Sequence, residues 1–303
     1  MGSTVLPGEI LAISKLDFGA RLPVTLLSIP FFGFDHYIDL IELPVKRLPG
    51  IDSLKRLDIV LFNAPFEFEK PIDKRSLMIS RIIGLPGETI EIVDYKSMIN
   101  NQLNDVPDQN ISFKYSVHVD SETSFRQLVK KYDLTEGSIT KKNTYVITCS
   151  QDQINHIKAE DEVNQINFID NFEDDQELIH ATTQFRKWNK KNFGPLYVPA
   201  KEDIIKLNKK NIELYLDLIK YHEGNEVTIS DSEIQINGLK AVEYTFKNNY
   251  YFMLDDNRSD SKDSRYWGLL PETHLVGMSK VVLLPASKNG VKANISRIFK
   301  KTV

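Results

Sequence analysis

Runs of β-branched and other apolar residues dominate the first hundred positions of the chain. The segments RLDIVLFNAP (residues 56–65) and LMISRIIGLPGETIEIV (residues 77–93) carry Val, Ile and Leu between breaks of Pro and Gly. Such runs predict strands, and the Leu-Pro-Gly sequence at residues 85–87 predicts a turn between two of them. We therefore expect a β-rich N-terminal third.

Helical periodicity replaces this pattern between about residues 100 and 225. Apolar residues recur at helical spacing in ETSFRQLVKKYDL (residues 122–134) and NKKNIELYLDLIKYH (residues 208–222), and less regularly in CSQDQINHIKAEDEV (residues 149–163). After residue 226 the strand pattern returns, in EVTISDSEIQING, YTFKNNYYFML and HLVGMSKVVLLP. This order predicts a mostly β protein. Its β core domain, residues 1–100 and 225–303, is interrupted by an inserted α/β domain, residues 101–224.

The segment RLPVTLLSIPFFGF (residues 21–34) is apolar but contains Pro23 and Pro30. Proline lacks a backbone N–H and disrupts helices and central strands, so we expect an exposed or half-exposed loop here. We hypothesise that this loop docks on a bilayer or on a protein partner through six large apolar side chains, Leu26, Leu27, Ile29, Phe31, Phe32 and Phe34.

Composition narrows the functional classes. The chain has 303 residues, of which 41% are hydrophobic and 26% charged, as is ordinary for a soluble globular protein with a sizeable core. Its formal net charge of -4 provides no whole-chain basic field for binding nucleic acid. The one cysteine, Cys149, is expected to be a small buried hydrophobe. The six histidines are scattered, so we expect no metal site and no cofactor.

The stretch FMLDDNRSDSKDSRYWG (residues 252–268) carries more polar chemistry than a strand-to-loop junction needs. A calcium loop counted from Asp255 is excluded, because its sixth and twelfth positions hold Asp260 and Tyr266 instead of Gly and Glu. The stretch is then either a structural turn or a buried polar network. A network would contain a bidentate ion pair between Asp263 and Arg265. The other candidate members are hydroxyl donors, Ser261 and Ser264.

Part of this stretch, DNRSDSKDSRYWG, resembles the C-terminal signature of the signal peptidase I family, in which Gly-Asp-Asn-Arg precedes Ser-x-Asp-Ser-Arg. Three further segments are similar to motifs of that family in the same order: TVLPGE (residues 4–9), RLDIVLFNAP and SRIIGLPGE (residues 80–88). The stretches KLDFGARLP, RLPGI, WNKKNFGPLYVP and YYFM resemble the Bacteroidetes-type variety with its long insertion. The resemblance implies a signal peptidase-type β core in which these motifs converge in space.

In that family a serine nucleophile and a lysine general base cleave secretory signal peptides at the outer face of the cytoplasmic membrane. Arg81 matches the family's arginine, but the preceding position, the family's lysine, is Ser80. A serine hydroxyl is not a base at neutral pH. Lys74 lies six residues upstream, roughly 20 Å away in an extended strand, so it cannot substitute.

The resemblance places the nucleophile seven residues before Pro7, one residue before Met1, and Ser3 is too close to Pro7 to replace it. Asp255 stands where the family has glycine. The glycine serves either a positive φ, which Asp tolerates better than most residues, or a close approach to the lysine base, which a carboxylate would disturb. The remaining motif positions match those of the family. The resemblance implies that Ser261 belongs to the catalytic site. It also implies that four charged residues support the site: Arg81, Asp256, Asp263 and Arg265.

These departures predict a signal peptidase I-like protein of the secretion pathway that is inactive as given. Its partners would be extended, signal-peptide-like segments, a membrane surface or a secretion-complex protein. The alternative is a truncated or mutated catalytic domain of an active, membrane-anchored signal peptidase I. No run reaches the roughly 18 apolar residues of a spanning helix, and residues 1–23 lack the basic region and apolar core typical of a signal peptide, so we expect neither an anchor nor a signal in the chain as given. The family resemblance implies that the protein is located at the periplasmic face of the inner membrane. If Met1 is the native start, we expect it in the cytoplasm instead.

Overall fold

The computed structural model describes residues 4–28, 37–107, 109–132, 134, 138–169, 180, 187–230, 233–285 and 295–302. In chain order the strands are β1 (Ile10–Ser14), β2 (Thr25–Ser28), β3 (Tyr37–Glu42), β4 (Ile59–Asn63), β5 (Leu77–Gly84), β6 (Thr89–Val93), β7 (Lys96–Ile99), β8 (Gln102–Leu103), β9 (Ser112–Val119), β10 (Ile139–Lys141), β11 (Thr144–Ser150), β12 (Val163–Phe168), β13 (Phe193–Tyr197), β14 (Ile204–Lys206), β15 (Val227–Ile229), β16 (Ile234–Ile236), β17 (Leu239–Lys240), β18 (Glu243–Thr245), β19 (Tyr250–Leu254), β20 (Leu270–Pro271) and β21 (Leu275–Leu284).

Helices are few and short by comparison. They are α1 (Glu122–Tyr132), α2 (Gln151–Ile157), α3 (Ile212–Asp217) with a π-helical continuation (Leu218–His222), and α4 (Ser264–Trp267). Single 3₁₀ turns cover Ile72–Lys74, Glu272–His274 and Ile295–Arg297. The mostly β class predicted from the sequence is confirmed, as are the helices predicted within residues 122–134, 149–163 and 208–222.

The motif segments are carried by a six-stranded antiparallel sheet with the order β1-β21-β4-β5-β19-β20. The interior strands β4, β5 and β19 are largely apolar, and all five residues of β19 are buried. Arg81 on β5 lies opposite Ile59 on β4 and opposite Leu254, the last residue of β19. The polar stretch therefore leaves its strand directly beside Arg81.

A second sheet, β13-β6-β7-β8, packs with the first around the largest core of the described residues. The turn predicted at residues 85–87 connects β5 to β6, and Gly87 adopts a φ of 86°, which glycine does without steric cost. The buried members of this core extend along the chain from Ile83 to Leu269 and include Ile90, Phe193 and Phe252.

Residues 112–168 form an α/β unit with a core of its own. The strands lie in the order β10-β11-β9-β12, and apolar residues of α1 and α2 pack against them. A capping box begins α2, since the Ser150 hydroxyl accepts from the Gln153 N–H and the Gln153 side chain accepts from the Ser150 N–H. Cys149 is 1% exposed in this core, as predicted, and burial raises its pKa to about 12. The domain boundaries at residues 101 and 224 stay predictions.

The prediction of a loop over residues 21–34 is wrong in part. Residues Thr25–Ser28 form β2, which pairs with β3 in a two-stranded antiparallel ribbon. The strand is possible because Pro23 precedes it and Pro30 follows it, so neither removes an N–H from the pairing. Leu26 and Leu27 lie on β2, whereas Ile29, Phe31, Phe32 and Phe34 lie outside the described residues, so the apolar docking surface stays a prediction. Within the described ranges, no helix is long and apolar enough to cross a membrane.

Candidate functional site

Arg81 and Asp256 form a fully buried bidentate ion pair. Nε and Nη2 of Arg81 donate to the two carboxylate oxygens, both at 2.8 Å, and the side chains are 1% and 0% exposed. Nη1 of Arg81 donates to the Leu57 carbonyl at 2.8 Å, and the Thr4 hydroxyl donates to Asp256. These bonds offset the desolvation that a buried ion pair suffers. The pair joins all four motif segments, residues 4–9, 56–65, 80–88 and 252–268.

Asp263 and Arg265 form a second buried bidentate pair, which the sequence predicted. Nε and Nη2 of Arg265 donate to the Asp263 carboxylate oxygens at 2.8 Å, and Nη1 donates to the carbonyls of Lys190 and Arg258 at 2.8 and 2.9 Å. Burial alone would lower the pKa of Arg265, but the Asp263 carboxylate raises it overall. Asp263 also accepts from the Arg265 N–H at 3.2 Å and so caps α4.

A third buried ion pair, between Arg258 and Asp105, was not found by the sequence analysis. Nη2 of Arg258 donates to the Asp105 carboxylate at 2.5 Å, and Nη1 donates to the Tyr95 carbonyl at 3.2 Å. Burial lowers the pKa of Arg258, and the neighbouring Arg265 lowers it further. The pair connects the polar stretch to the segment around β7 and β8. Its partner lies 153 positions away in an unremarkable loop, so no local signal marked it.

The α/β unit contacts the polar stretch directly, and the sequence analysis missed these contacts too. Ser112, the first residue of β9, exchanges backbone hydrogen bonds with the stretch: its N–H donates to the Asp256 carbonyl at 2.9 Å and its carbonyl accepts from the Arg258 N–H at 3.0 Å. The Lys114 N–H donates to the Ser259 hydroxyl at 2.9 Å. The buried Lys190 ammonium donates to the Ser259 carbonyl at 3.3 Å. The inserted segment therefore helps to shape the site.

Ser80 and Ser261, the two serines singled out in the sequence, lie around a single carboxyl group. The Ser80 hydroxyl donates to Oδ1 of Asp255 at 2.5 Å, and the Ser261 hydroxyl also hydrogen-bonds the Asp255 carboxyl. Burial raises the pKa of Asp255, and repulsion from the Asp263 carboxylate adds to that rise, while the two serine hydrogen bonds oppose it. The residue that departs from the family's glycine thus fills the space between the residues expected to surround the base.

The chemistry available here is that of hydroxyl and carboxyl groups. Ser80 is almost fully buried and offers no basic nitrogen at the position where the resemblance implies a lysine. Proton abstraction from a serine nucleophile needs a base within hydrogen-bond reach. Among the described residues, no three His, Cys, Asp or Glu side chains are placed to hold a metal ion.

Ser264 takes part in the polar stretch as an acceptor: its hydroxyl accepts from the Met253 N–H at 2.8 Å, and its expected role as a donor stays a prediction. The hydroxyl accepts this bond because α4 folds back over β19 and presents the hydroxyl to a strand N–H. Trp267 packs on Phe62, with ring centroids 5.8 Å apart, and its Nε1–H donates to the Lys262 carbonyl at 2.9 Å. The polar stretch, residues 252–268, therefore folds back against the six-stranded sheet.

Comparison with known proteins agrees with the motifs. Residues 1–154 and 197–284 match a family model described as signal peptidase, peptidase S26. The chain is 25% identical to the signal peptidase I of Buchnera aphidicola subsp. Acyrthosiphon pisum over 297 residues, covering 95% of this chain and 67% of that protein. It is 26% identical to the signal peptidase I of Aquifex aeolicus over 283 residues, covering 93% and 71%. The chain thus spans about two thirds of the length of the curated relatives it matches.

One solved structure, a signal peptidase I from Enterococcus faecalis V583, covers 76% of this chain and 98% of its own. Its sequence is 19% identical to this chain. The TM-score is 0.27, a superposition too loose to support an argument about the site.

We predict that Asp256→Ala destabilises the protein by roughly 3–5 kcal/mol, because it leaves the Arg81 guanidinium buried without its counter-ion. Chemical unfolding curves measure the loss. The control is Glu122→Ala, which removes an exposed carboxylate paired with Arg126 on α1 at 2.7 Å and should cost no more than about 1 kcal/mol. Equal effects of the two substitutions would contradict the structural role of the buried pair.

Asp255→Asn should change the pH dependence of stability. Because burial raises the pKa of Asp255 above its ordinary 3.8, the folded state disfavours the ionised carboxyl. That cost is absent below pH 3.8 and grows as pH rises through the raised folded pKa. The variant should therefore gain stability over the natural chain as pH increases from 4 to 8, measured by unfolding in urea. Asn257→Ala, a neutral neighbour, controls for local disturbance, and a pH-independent difference between Asp255→Asn and the natural chain would refute the assignment.

Proposed function

The chain belongs to the signal peptidase, peptidase S26, family, and from that premise we propose that it is a signal peptidase I-like protein of the secretion pathway that binds extended peptides without cleaving them. The observation that carries the proposal is the hydrogen bond from Ser80 to Asp255 at the position of the family's base. A buried hydroxyl bonded to a carboxyl supplies no neutral amine. The framework around it, with Arg81 paired to Asp256 and Arg265 to Asp263, is complete.

The architecture offers an edge for an extended peptide. Strand β1 lies at the end of the six-stranded sheet and pairs, among the described residues, with β21 alone. It follows directly after the motif segment whose Thr4 contacts Asp256. A peptide that adds a strand there would gain backbone hydrogen bonds with β1. The proposal places the protein at the outer face of the cytoplasmic membrane, in contact with signal-peptide-like segments, and assigns it to the Bacteroidetes-type variety.

A second candidate is the catalytic domain of an active, membrane-anchored signal peptidase I. The chain spans about two thirds of the length of its curated relatives, which favours a larger whole protein. The two candidates differ at Ser80 and Asp255. An active enzyme of this family needs a base there, whereas a binding protein needs only the framework.

Peptide binding by strand addition should depend on the backbone N–H groups of the peptide. We expect a fluorescently labelled signal-peptide-like peptide to bind the natural chain in an anisotropy titration. A peptide of the same sequence with alternate backbone nitrogens methylated should bind roughly tenfold or more weakly, because it cannot donate to the β1 edge. Equal affinity for the two peptides would contradict binding by strand addition.

Restoring catalysis should require two substitutions in the site, tested in a chain with a serine joined directly before Met1. Ser80→Lys alone would place an ammonium beside the Asp255 carboxylate, which favours the charged, non-basic form. The double variant Ser80→Lys/Asp255→Gly removes that carboxylate. We expect it to cleave a signal-peptide substrate roughly 10²-fold faster than Ser80→Lys, measured by mass spectrometry of the products.

The matched control for this series is Ser80→Met/Asp255→Gly, which has similar bulk at position 80 but no amine, and which should be inactive. If Ser80→Lys alone cleaved as fast as the double variant, Asp255 would not obstruct the base. If the double variant were as inactive as the methionine control, the framework would not be intact as proposed.

A further inference from the structure

A cleft of about 460 Å³ lies at the other end of the β4–β5 pair from the candidate site. In this pair Asn63 is opposite Leu77 at the cleft end, whereas Ile59 is opposite Arg81 at the site end. Four residues of extended strand separate the two ends, about 13 Å. The cleft is therefore a separate feature of the molecule.

The lining of this cleft is strongly basic. Five of its side chains carry positive charge, Lys15, Arg21, Lys70, Lys74 and Arg75, and one carries negative charge, Asp73. Lys70 is paired with Glu67 at 2.9 Å outside the lining. The whole chain has a formal net charge of -4, so the cleft is opposite in sign to the protein that surrounds it. Such a concentration of one sign in a concave site focuses the electric potential.

The single acidic group of the lining is already engaged. One oxygen of Asp73 accepts from the backbone N–H groups of Val24 and Thr25 at 3.2 and 3.0 Å, and the other accepts from the Thr25 hydroxyl at 2.7 Å. Asp73 thereby holds the beginning of β2. Its two oxygens are thus occupied by donors of the β2 segment, although the carboxylate still attracts Arg21.

The two arginines are held in place by neutral acceptors. Arg21 donates to the Thr273 carbonyl at 3.0 Å and to Asn63 Oδ1 at 2.6 Å. Arg75 donates to the Lys70 carbonyl at 2.9 Å, and its Nη1 lies 3.0 Å from Nε2 of His274. Burial and the nearby arginines lower the pKa of Arg21 to about 10, and the Asp73 carboxylate opposes this shift. The hydrogen-bond partners of both guanidinium groups are neutral, and carboxylates act on them only through space.

The rim of the cleft is apolar. Leu22 and Leu77 line it and are 41% and 59% exposed. These two leucine side chains could contact the apolar part of an organic anion. A simple inorganic ion has no apolar part and would not contact them. The volume also falls in the range of sites that hold small molecules, about 300–1,000 Å³.

We propose that this cleft binds a phosphate-bearing anion, either the headgroup of an anionic phospholipid or a soluble phosphate ester. Phosphate fits because several cations converge on one concavity and because guanidinium groups match its oxygens in geometry and charge. The bound phosphate would lie among Arg21, Lys74 and Arg75, with the ester remainder over the apolar rim.

The test compares two charge-matched double variants, each removing two lysines. Lys15→Gln/Lys74→Gln removes two cations of the cleft, and Lys141→Gln/Lys142→Gln removes two exposed cations from the β10–β11 connection of the α/β unit. Thermal unfolding checks that both fold, and Lys15→Gln alone, at an exposed position, serves as a milder second variant. The probes are inorganic phosphate, measured by isothermal titration calorimetry, and vesicles of equal parts phosphatidylglycerol and phosphatidylcholine, measured by cosedimentation.

We expect the natural chain to bind at least one of the two probes, and the cleft variant to bind it roughly tenfold more weakly, while the α/β variant binds as the natural chain does. Binding to the vesicles that free phosphate competes away identifies a lipid headgroup as the source. Binding to phosphate without binding to vesicles identifies a soluble ester. Equal weakening in the two double variants would show general electrostatics and overturn the proposal, as would the absence of binding to both probes.

Discussion

The buried ion pair between Arg81 and Asp256 is the interaction on which the rest of the site depends. A guanidinium removed from water is tolerated only when a carboxylate and further acceptors surround it. Here those acceptors come from strands and loops far apart in the chain, with Leu57 and Asp256 receiving the arginine and Thr4 donating to the aspartate. The convergence of the four motif segments is thus a condition for burying one arginine.

Two more buried arginines are likewise paired with a carboxylate. Arg265 pairs with Asp263 within the polar stretch, and Arg258 pairs with Asp105 beyond it, so three fully buried guanidinium groups each have a carboxylate of their own. Removing any one partner would leave a buried charge, which costs far more than an exposed ion pair contributes. The polar stretch is dense in charge because it fastens the sheet, the β7–β8 segment and the α/β unit to one another.

The strand geometry separates the Arg81–Asp256 ion pair from the groups around Ser80. The side chains of successive strand residues point to opposite faces of the sheet, so Ser80 and Arg81 contact different partners. Arg81 binds Asp256, while Ser80 binds the preceding residue, Asp255. Substitution at position 80 and at position 255 therefore changes one face of the strand pair and leaves the ion pair on the other face undisturbed. The second pair is less separate, because the Asp255 N–H donates to the Asp263 carboxylate at 3.2 Å.

The sequence predicted the parts of this arrangement that are local or that the motifs encode. The strands at residues 59–63 and 77–84 and the Asp263–Arg265 pair followed from short patterns, and the grouping of Ser80 with Ser261 followed from the family resemblance. The Arg258–Asp105 pair did not, because Asp105 acquires its role only when the chain folds back over a long separation. Strand β2 was missed because the prolines that argued against it lie outside it rather than within it.

Our central proposal is that this framework, with a serine bonded to a carboxyl at the position of the family's base, does not cleave peptides. The most direct measurement incubates the unaltered 303-residue chain with a signal-peptide substrate and quantifies products by mass spectrometry. The account predicts no product above that of the substrate alone. Cleavage that persists after Ser3→Ala, and so does not come from a relocated nucleophile, would contradict it.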